Sequence, residues 1–320
     1  MGENIRVPPI QRLEATAARL TSASDGPLTV VIVSYECRES LLRCLQSLRR
    51  QRNTPALHVI VVDNASTDGT VAAVQRAHPE VTVIGNPRNV GFGAATNQGL
   101  RLAGEGPVLV LNPDTEVPPG ALARCLERLD QLPHVGVLGC KLVRADGTID
   151  LASRRNVPTP KNSLIHMARL DRLRGPREHS YNPPAEKYEE EGEAGALCGA
   201  FMLARREALD EVGGFDEAFW MYGEDLDWSL RFRRAGWGVH YLPSVAVLHL
   251  KGGSSGHVRS LRVTYAFAHA MWVFFDKHRP EGTSPVLLLA VRAGIVAHFA
   301  AAAARSVLVR HVLHPMRGRE

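Results

Sequence analysis

A chain of 320 residues, 45% of them hydrophobic, is long enough to bury a sizeable core as one large α/β domain with appendages or as two modest domains. Its five cysteines, Cys37, Cys44, Cys125, Cys140 and Cys198, are odd in number and form no CxxC pair, which argues against a disulfide framework and a zinc site and points to reduced thiols. The net charge of +5 is concentrated at one end, since residues 251–320 carry ten Lys/Arg against three Asp/Glu. Charge alone does not choose among nucleic acid, anionic lipid and an acidic substrate.

In chain order, residues 1–27 read as an N-terminal extension with a short helix over Gln11–Leu20 and a polar linker. The polar start lacks the apolar core of a signal peptide, and Arg6 stands where a myristoylation signal wants Ser or Thr, so a cytoplasmic location is expected. The run LTVVIVS at residues 28–34 predicts a strand buried on both faces, followed by a helix over 39–51. A strand at 57–62, a helix at 70–78 and a strand at 81–84 continue the alternation, which implies a mostly parallel sheet with helices on both faces. Ligands of such sheets bind beyond the carboxyl ends of the strands, where Ser34, Tyr35, Asp63 and Asn64 fall. Asp63 is suited to accept hydrogen bonds from a nucleobase or ribose. The turn SYECRES after the first strand has no glycine, so the dinucleotide fingerprint is absent, and there is no P-loop.

The stretch NVGFGAATN at 89–97 opens a helix through about 102. Asn89, Gly91 and Gly93 there either admit a diphosphate to the helix N-terminus or serve tight packing. The strand 108–111 ends in Asn112-Pro-Asp114, where Asp114 holds a divalent cation or caps a turn, and a helix over 119–132 follows. A strand at 135–143, the turn Asp146-Gly147 and a proline-rich segment from 153 to 193, read as a mobile loop or lid, lead to a strand at 198–203 and a helix at 205–212.

The stretch GGFDEAFWMYGEDLDWSLRFRRAGW, residues 213–237, sets Glu224 and Asp225 in the first turn of a helix after Gly223. A carboxylate among so many aromatics can be a general base, although a capped helix accounts for the same residues, and Asp227 has a structural partner four residues on in Arg231. Two strands, 238–242 and 245–250, deliver His249, a candidate metal ligand beside Asp114, to the loop Lys251–Gly256. A helix at 260–279 precedes an apolar stretch at 285–311, in which Arg292, His298 and Arg305 disfavour a spanning helix and leave a membrane surface or a protein face as its partner.

Taken together, VVIVSYEC, VVDNASTDGT, NVGFGAATNQG, LVLNPDTEV, CGAFMLARREALDEVGGFDEAFWMYGEDLDWSLRFRRAGW and VLHLKGGSSG resemble family 2 glycosyltransferases of the GT-A fold, most closely the bacterial rhamnosyltransferase-like branch. The resemblance spans about residues 28–256. It implies a GT-A domain at 28–259, with a nucleotide-sugar-binding half at 28–116 and an acceptor and catalytic half at 117–259, and a basic, apolar helical region at 260–320. It also implies a Rossmann-like, mostly parallel sheet flanked by helices.

By the same resemblance, Ser34, Tyr35, Asp63, Asn64, Asn89, Gly91, Gly93 and Asn112 line the donor nucleotide. Asp114 and His249 hold Mg²⁺ or Mn²⁺, with Asn112 standing at the first position of the DxD-type motif. Asp225 is the catalytic base with Glu224 beside it, and Trp220, Tyr222 and Trp228 are candidates to stack on acceptor sugars. The implied activity is inverting transfer of a sugar, L-rhamnose from dTDP-rhamnose first and UDP-galactose, UDP-glucose or UDP-N-acetylglucosamine as alternatives. The implied acceptor is a glycan or polyprenyl-diphosphate-linked saccharide at the inner face of the cell membrane, with a homo-oligomer allowed and no nucleic acid partner. A catalytically silent glycan-binding homologue and a nucleotidyltransferase are the rival readings.

Overall fold

The computed structural model describes residues 26–157, 159, 180–250 and 261–308. The expected helix at Gln11–Leu20, the loop Lys251–Gly256 and the chain beyond 308 lie outside the described residues. Every residue of β1 (Leu28–Ser34) is buried, because β-branched side chains suit an extended chain and helices cover both faces. Val30 and Ile32 enter one core with Leu41, Cys44, Leu45 and Leu48 of α1 (Arg38–Arg49). Val31 enters a second core on the opposite face, with Val108, Met202, Trp228 and Phe232.

The main sheet runs β3 (Thr82–Gly85), β2 (Leu57–Asp63), β1, β4 (Val108–Leu111), β10 (Phe201–Ala204), β6 (Val135–Val143), β11 (Gly238–His249) and β5 (Thr115–Glu116), with β8 (Gly192–Glu193) also on β11. Neighbours β1, β2, β3 and β4 pair in parallel, as do β6 and β11, and β10 is inserted antiparallel between β4 and β6. The sheet is therefore mostly parallel, as its sequence alternation predicts. Strand order turns outward in both directions from β1 and β4, which opens a crevice at their carboxyl ends. Ser34, Asp63 and Gly85 stand in register at that edge, and Ile32 is opposite Leu111.

The helices α2 (Thr70–Ala77), α3 (Phe92–Leu100), α4 (Ala121–Gln131), α5 (Arg206–Val212) and α6 (Glu224–Arg234) follow the expected positions to within a few residues. Two expectations are corrected. The segment 153–193, read as a loop, is built into the fold at both described ends: β7 (Arg154–Arg155) pairs with β9 (Ala196–Leu197), Tyr188 is fully buried, and β8 adds to the sheet. The acidic run 189–193 is paired, with Glu191 on Arg128 and His240 and Glu189 on Lys141. The two strands expected at 238–250 are one strand, β11, with an irregularity after Leu242 where Pro243 has no N–H to give the ladder.

The C-terminal region is a pair of helices, α7 (Leu261–His278) and α8 (Pro285–Leu308), packed through Ala268, Phe275, Val291 and Ile295. Residues Pro285–Ser306 are long and apolar enough, by length and composition, to cross a membrane. Arg292, which the sequence reading counted against a span, is neutralised by Asp276 of α7 at 3.1 Å and stacks on the Trp272 ring.

Candidate active site

At the carboxyl end of β1 and β2, Ser34 Oγ donates to Asp63 Oδ1 at 2.8 Å, and Ser66 donates to both Asp63 oxygens, through N–H to Oδ2 at 2.8 Å and through Oγ to Oδ1 at 2.6 Å. Asp63 is thus a buried, rigidly held carboxylate with lone pairs to spare. Tyr35 beside it is 40% exposed. Asn64 is held differently from the expectation: its amide donates to Gly91 O at 3.1 Å and accepts from Asn86 at 3.0 Å, and it is buried. Those bonds brace the rim.

Asn89 Oδ1 accepts from the Gly91 N–H at 3.0 Å, which shapes the chain before α3. Gly91 has φ +96°, and a Cβ there would stand 2.5 Å from the Trp220 carbonyl oxygen, so only glycine fits. Phe92 N–H donates to that same carbonyl at 2.8 Å. A Cβ on Gly93 would contact Phe215 and Phe219. The room these two glycines create is filled by the 215–220 loop, the tight packing that the sequence left open beside a diphosphate.

Asn112 ends β4, and its N–H donates to Ala200 O at 3.1 Å, which fastens the 198–200 turn to the strand end. Asp114 is fixed through its carbonyl, which accepts from Leu250 N–H at 2.9 Å, and its Oδ1 lies 3.3 Å from His249 Nε2. The sequence-predicted pair is therefore brought together. His249 Nδ1 lies 3.1 Å from Asp150 Oδ2, a fully buried carboxylate that sequence reasoning missed. Burial alone would lower the His249 pKa, but Asp114 and Asp150 outweigh it and raise it above its usual value.

Tyr222 at φ +70° and Gly223 at φ +80° turn the chain sharply into α6, and the tyrosine adopts this left-handed conformation at a steric cost. Asp225 in the first turn is well fastened. Its Oδ2 accepts from Arg155 Nη2 at 2.8 Å and Gly199 N–H at 3.0 Å, while Oδ1 accepts from the Leu226 N–H at 2.8 Å. Glu224 beside it is buried, and Oε2 has no hydrogen-bond partner among the described residues. Burial, reinforced by the Asp225 charge, pushes the Glu224 carboxyl far above the usual carboxylate range. Cys198, in the turn below, has its thiol pushed up to about 12 by burial, so it is no nucleophile.

The aromatic candidates separate. Trp228 is fully buried, donates Nε1–H to Gly213 O at 2.9 Å and packs on Phe215 and Phe232, so it belongs to the core and cannot stack on an acceptor. Trp220 carries the Arg262 guanidinium on its ring, and Tyr222 meets Phe267 edge to face, so both bear on α7. Asp227 pairs with Arg231 at 2.8 Å as its spacing predicts, and also with His278 and Lys277 of α7, each at 2.7 Å.

A mostly parallel sheet whose strand ends carry a buried carboxylate, an Asp–His pair and a helix start bearing two more carboxylates has the architecture of a GT-A transferase. A family model described as glycosyl transferase family 2 matches residues 29–213, and a second, glycosyl transferase family group 2, matches residues 185–276. The chain belongs to glycosyl transferase family 2, and it is a glycosyltransferase. It is 34% identical, over 77% of its length and 86% of the relative's, to an N-acetylglucosaminyl-diphospho-decaprenol L-rhamnosyltransferase of Mycobacterium tuberculosis. It is 25% identical, over 69% and 82% of the two chains, to the rhamnosyltransferase WbbL of Escherichia coli. Among solved structures it is similar to a mannosyltransferase of Pyrobaculum calidifontis in complex with GDP-Man and Mn²⁺, with a TM-score of 0.55, 20% identity and 92% and 81% of the two chains covered.

Proposed function

We propose that this chain is an inverting, divalent-metal-dependent transferase that moves L-rhamnose from dTDP-rhamnose to a polyprenyl-diphosphate-linked saccharide in cell-envelope polysaccharide synthesis. The observation that carries the reading is Asp225, held by three donors at the start of α6 and fastened through Gly199 to the turn that abuts the Asn112–Asp114 strand end. Transfer of rhamnose and a lipid-linked acceptor are favoured by the likeness to the Mycobacterium tuberculosis N-acetylglucosaminyl-diphospho-decaprenol L-rhamnosyltransferase. UDP-galactose, UDP-glucose and UDP-N-acetylglucosamine are the competing donors.

Asp63 with Ser34 and Tyr35 would take the nucleoside, and Asp225 would remove the proton from the acceptor hydroxyl as its oxygen attacks the anomeric carbon opposite the leaving diphosphate. Asp114 and His249 fit a divalent cation, because they set an oxygen and a nitrogen donor side by side while Asp150 steadies the far side of the imidazole. No group of three His, Cys, Asp or Glu that could hold a metal ion is found among the described residues, so a cation there would depend on oxygens brought by the substrate. Bound there, Mg²⁺ or Mn²⁺ would supply positive charge against the departing diphosphate. The apolar outer side of α8 and the basic C-terminal end would rest on the inner face of an anionic membrane, where such an acceptor resides.

The test is nucleoside-diphosphate release from a panel of nucleotide sugars with Mn²⁺. Turnover is expected with dTDP-rhamnose, and pyrophosphate release instead would favour a nucleotidyltransferase. Asp225→Asn should bind donor normally and lose roughly 10²–10⁴-fold in kcat. Asp114→Ala should weaken Mn²⁺-dependent donor binding, and wild-type behaviour of both variants would refute the assignment.

A further inference from the structure

Two adjacent arginines on β7 are used in opposite ways. Arg154 serves the backbone: Nη1 donates to the carbonyls of Lys187 and Glu190, Nη2 donates to that of Glu193 at 2.7 Å, and the guanidinium lies over the Tyr241 ring. These contacts knit the 187–193 segment to the sheet, and no acidic side chain takes part in them. Arg155 instead carries its charge inward. Its side chain is 9% exposed, and Nη2 donates both to the Leu197 carbonyl and to Asp225 Oδ2 at 2.8 Å.

A buried ion pair is by itself weak evidence for a stabilising role. A buried guanidinium costs several kcal/mol in desolvation unless its hydrogen bonds are complete, and Arg155 Nε is buried without a partner among the described residues. What the arrangement provides is orientation. Asp225 Oδ2 is taken up by Arg155 and the Gly199 N–H, whereas among the described residues Oδ1 accepts only the Leu226 N–H. With one oxygen clamped and the other lightly engaged, the carboxylate cannot rotate, and Oδ1 is the oxygen with a lone pair free for a substrate hydroxyl.

We propose that Arg155 is the positioning residue of the base, clamping Asp225 Oδ2 so that Oδ1 receives the acceptor proton. This rests on the reading of Asp225 as the base. In the step it serves, the acceptor O–H bond breaks toward Oδ1, the acceptor oxygen bonds to the anomeric carbon, and the anomeric carbon–oxygen bond to the diphosphate breaks with its electron pair leaving on the nucleotide. Arg155 neither gives nor takes a proton. It sets the geometry of the group that does.

The experiment compares wild type, Arg155→Ala, Arg155→Lys and Asp225→Asn in steady-state transfer, with guanidinium chloride added at low millimolar concentration, and follows each fold by thermal melting. Arg155→Ala is expected to lose about 10²-fold in kcat, as a misplaced catalytic group does, with donor KM unchanged. Guanidinium should restore part of that rate and should do nothing for Asp225→Asn, while Arg155→Lys falls between. Should Arg155→Ala not fold, Arg155→Gln, which retains the stem and one donor, carries the same comparison. A folded variant with wild-type kcat, or with a low kcat that guanidinium does not raise, overturns the assignment of Arg155 alone. A wild type that releases no nucleoside diphosphate from any donor refutes the proposed function and this assignment with it.

Discussion

Two neighbouring carboxyls at the start of α6 have different surroundings. Asp225 meets a guanidinium and two backbone N–H groups, whereas Glu224 is buried beside the Asp225 charge, and its pKa is pushed up to about 8. The consequence for stability has a definite sign. The folded-state pKa of Glu224 lies above its unfolded value near 4.5, so the contribution is fully present below pH 4.5 and is lost as pH rises toward 8. Each pH unit between those limits removes at most about 1.4 kcal/mol. Glu224→Gln cannot ionise and should flatten that decline, with its largest gain over wild type near pH 8. Urea midpoints of both proteins at pH 5, 6.5 and 8 measure it, and parallel curves would show that Glu224 is already ionised at pH 5.

At the scale of elements, α6 and α7 are joined by Asp227, whose burial would raise its pKa but whose bonds to His278, Lys277 and Arg231 bring it down to about 2. A depressed carboxyl stabilises above its unfolded pKa and loses that stabilisation as pH falls through the folded value, so this joint should weaken between about pH 4 and pH 2. Removing the carboxylate leaves Lys277 with Asp216 but deprives Arg231 and His278 of their common partner. Asp227→Ala should therefore cost about 3–5 kcal/mol, and hydrogen exchange should quicken in α7 before it does in β1. Unchanged exchange in α7 would mean that the helix is held by its apolar contacts alone. How much was legible follows from the range of each interaction. The β-branched run of β1 and the Asp227–Arg231 spacing are local signals, and the sequence carries them. Asp63, Asp114, His249 and Asp225 were legible as family motifs at strand and helix ends. Arg155 and Asp150 were not, because their partners Asp225 and His249 lie 70 and 99 positions away, and nothing near either residue marks it. Trp228 was misjudged because an aromatic at a helix start reads the same whether it faces solvent or the core.

Across the whole molecule, the α7–α8 pair is fastened to α6 rather than tethered loosely. Ala270 of α7 stands 3.5 Å from where a Cβ on Gly223 would be, Arg262 covers Trp220, and Lys277 and His278 grip Asp227. The inner side of α8 is packed through Val291 and Ile295, but its outer side is an apolar stripe in which Val286 is 78%, Leu289 70% and Val296 57% exposed. Ala293, Ala300 and Ala304 continue that stripe at helical spacing. Exposed leucine and valine in a row are a candidate interaction surface, and under the proposed function the ten basic residues of 251–320 would suit an anionic one. If the stripe meets lipid, its rigid attachment would fix the height of Asp225 above the bilayer, which matters for an acceptor anchored there. The double variant Leu289→Glu, Val296→Glu changes two side chains that face outward, so its melting temperature should stay near that of the wild type. Its partition onto anionic phosphatidylglycerol vesicles should fall sharply, because a carboxylate must then be desolvated at the interface and repelled by the lipid charge. Turnover on a short, water-soluble acceptor should be unaffected while turnover on a vesicle-borne acceptor drops. Equal partition of the two proteins would show that the stripe does not meet lipid, and a lowered melting temperature in dilute solution would show instead that it packs against protein.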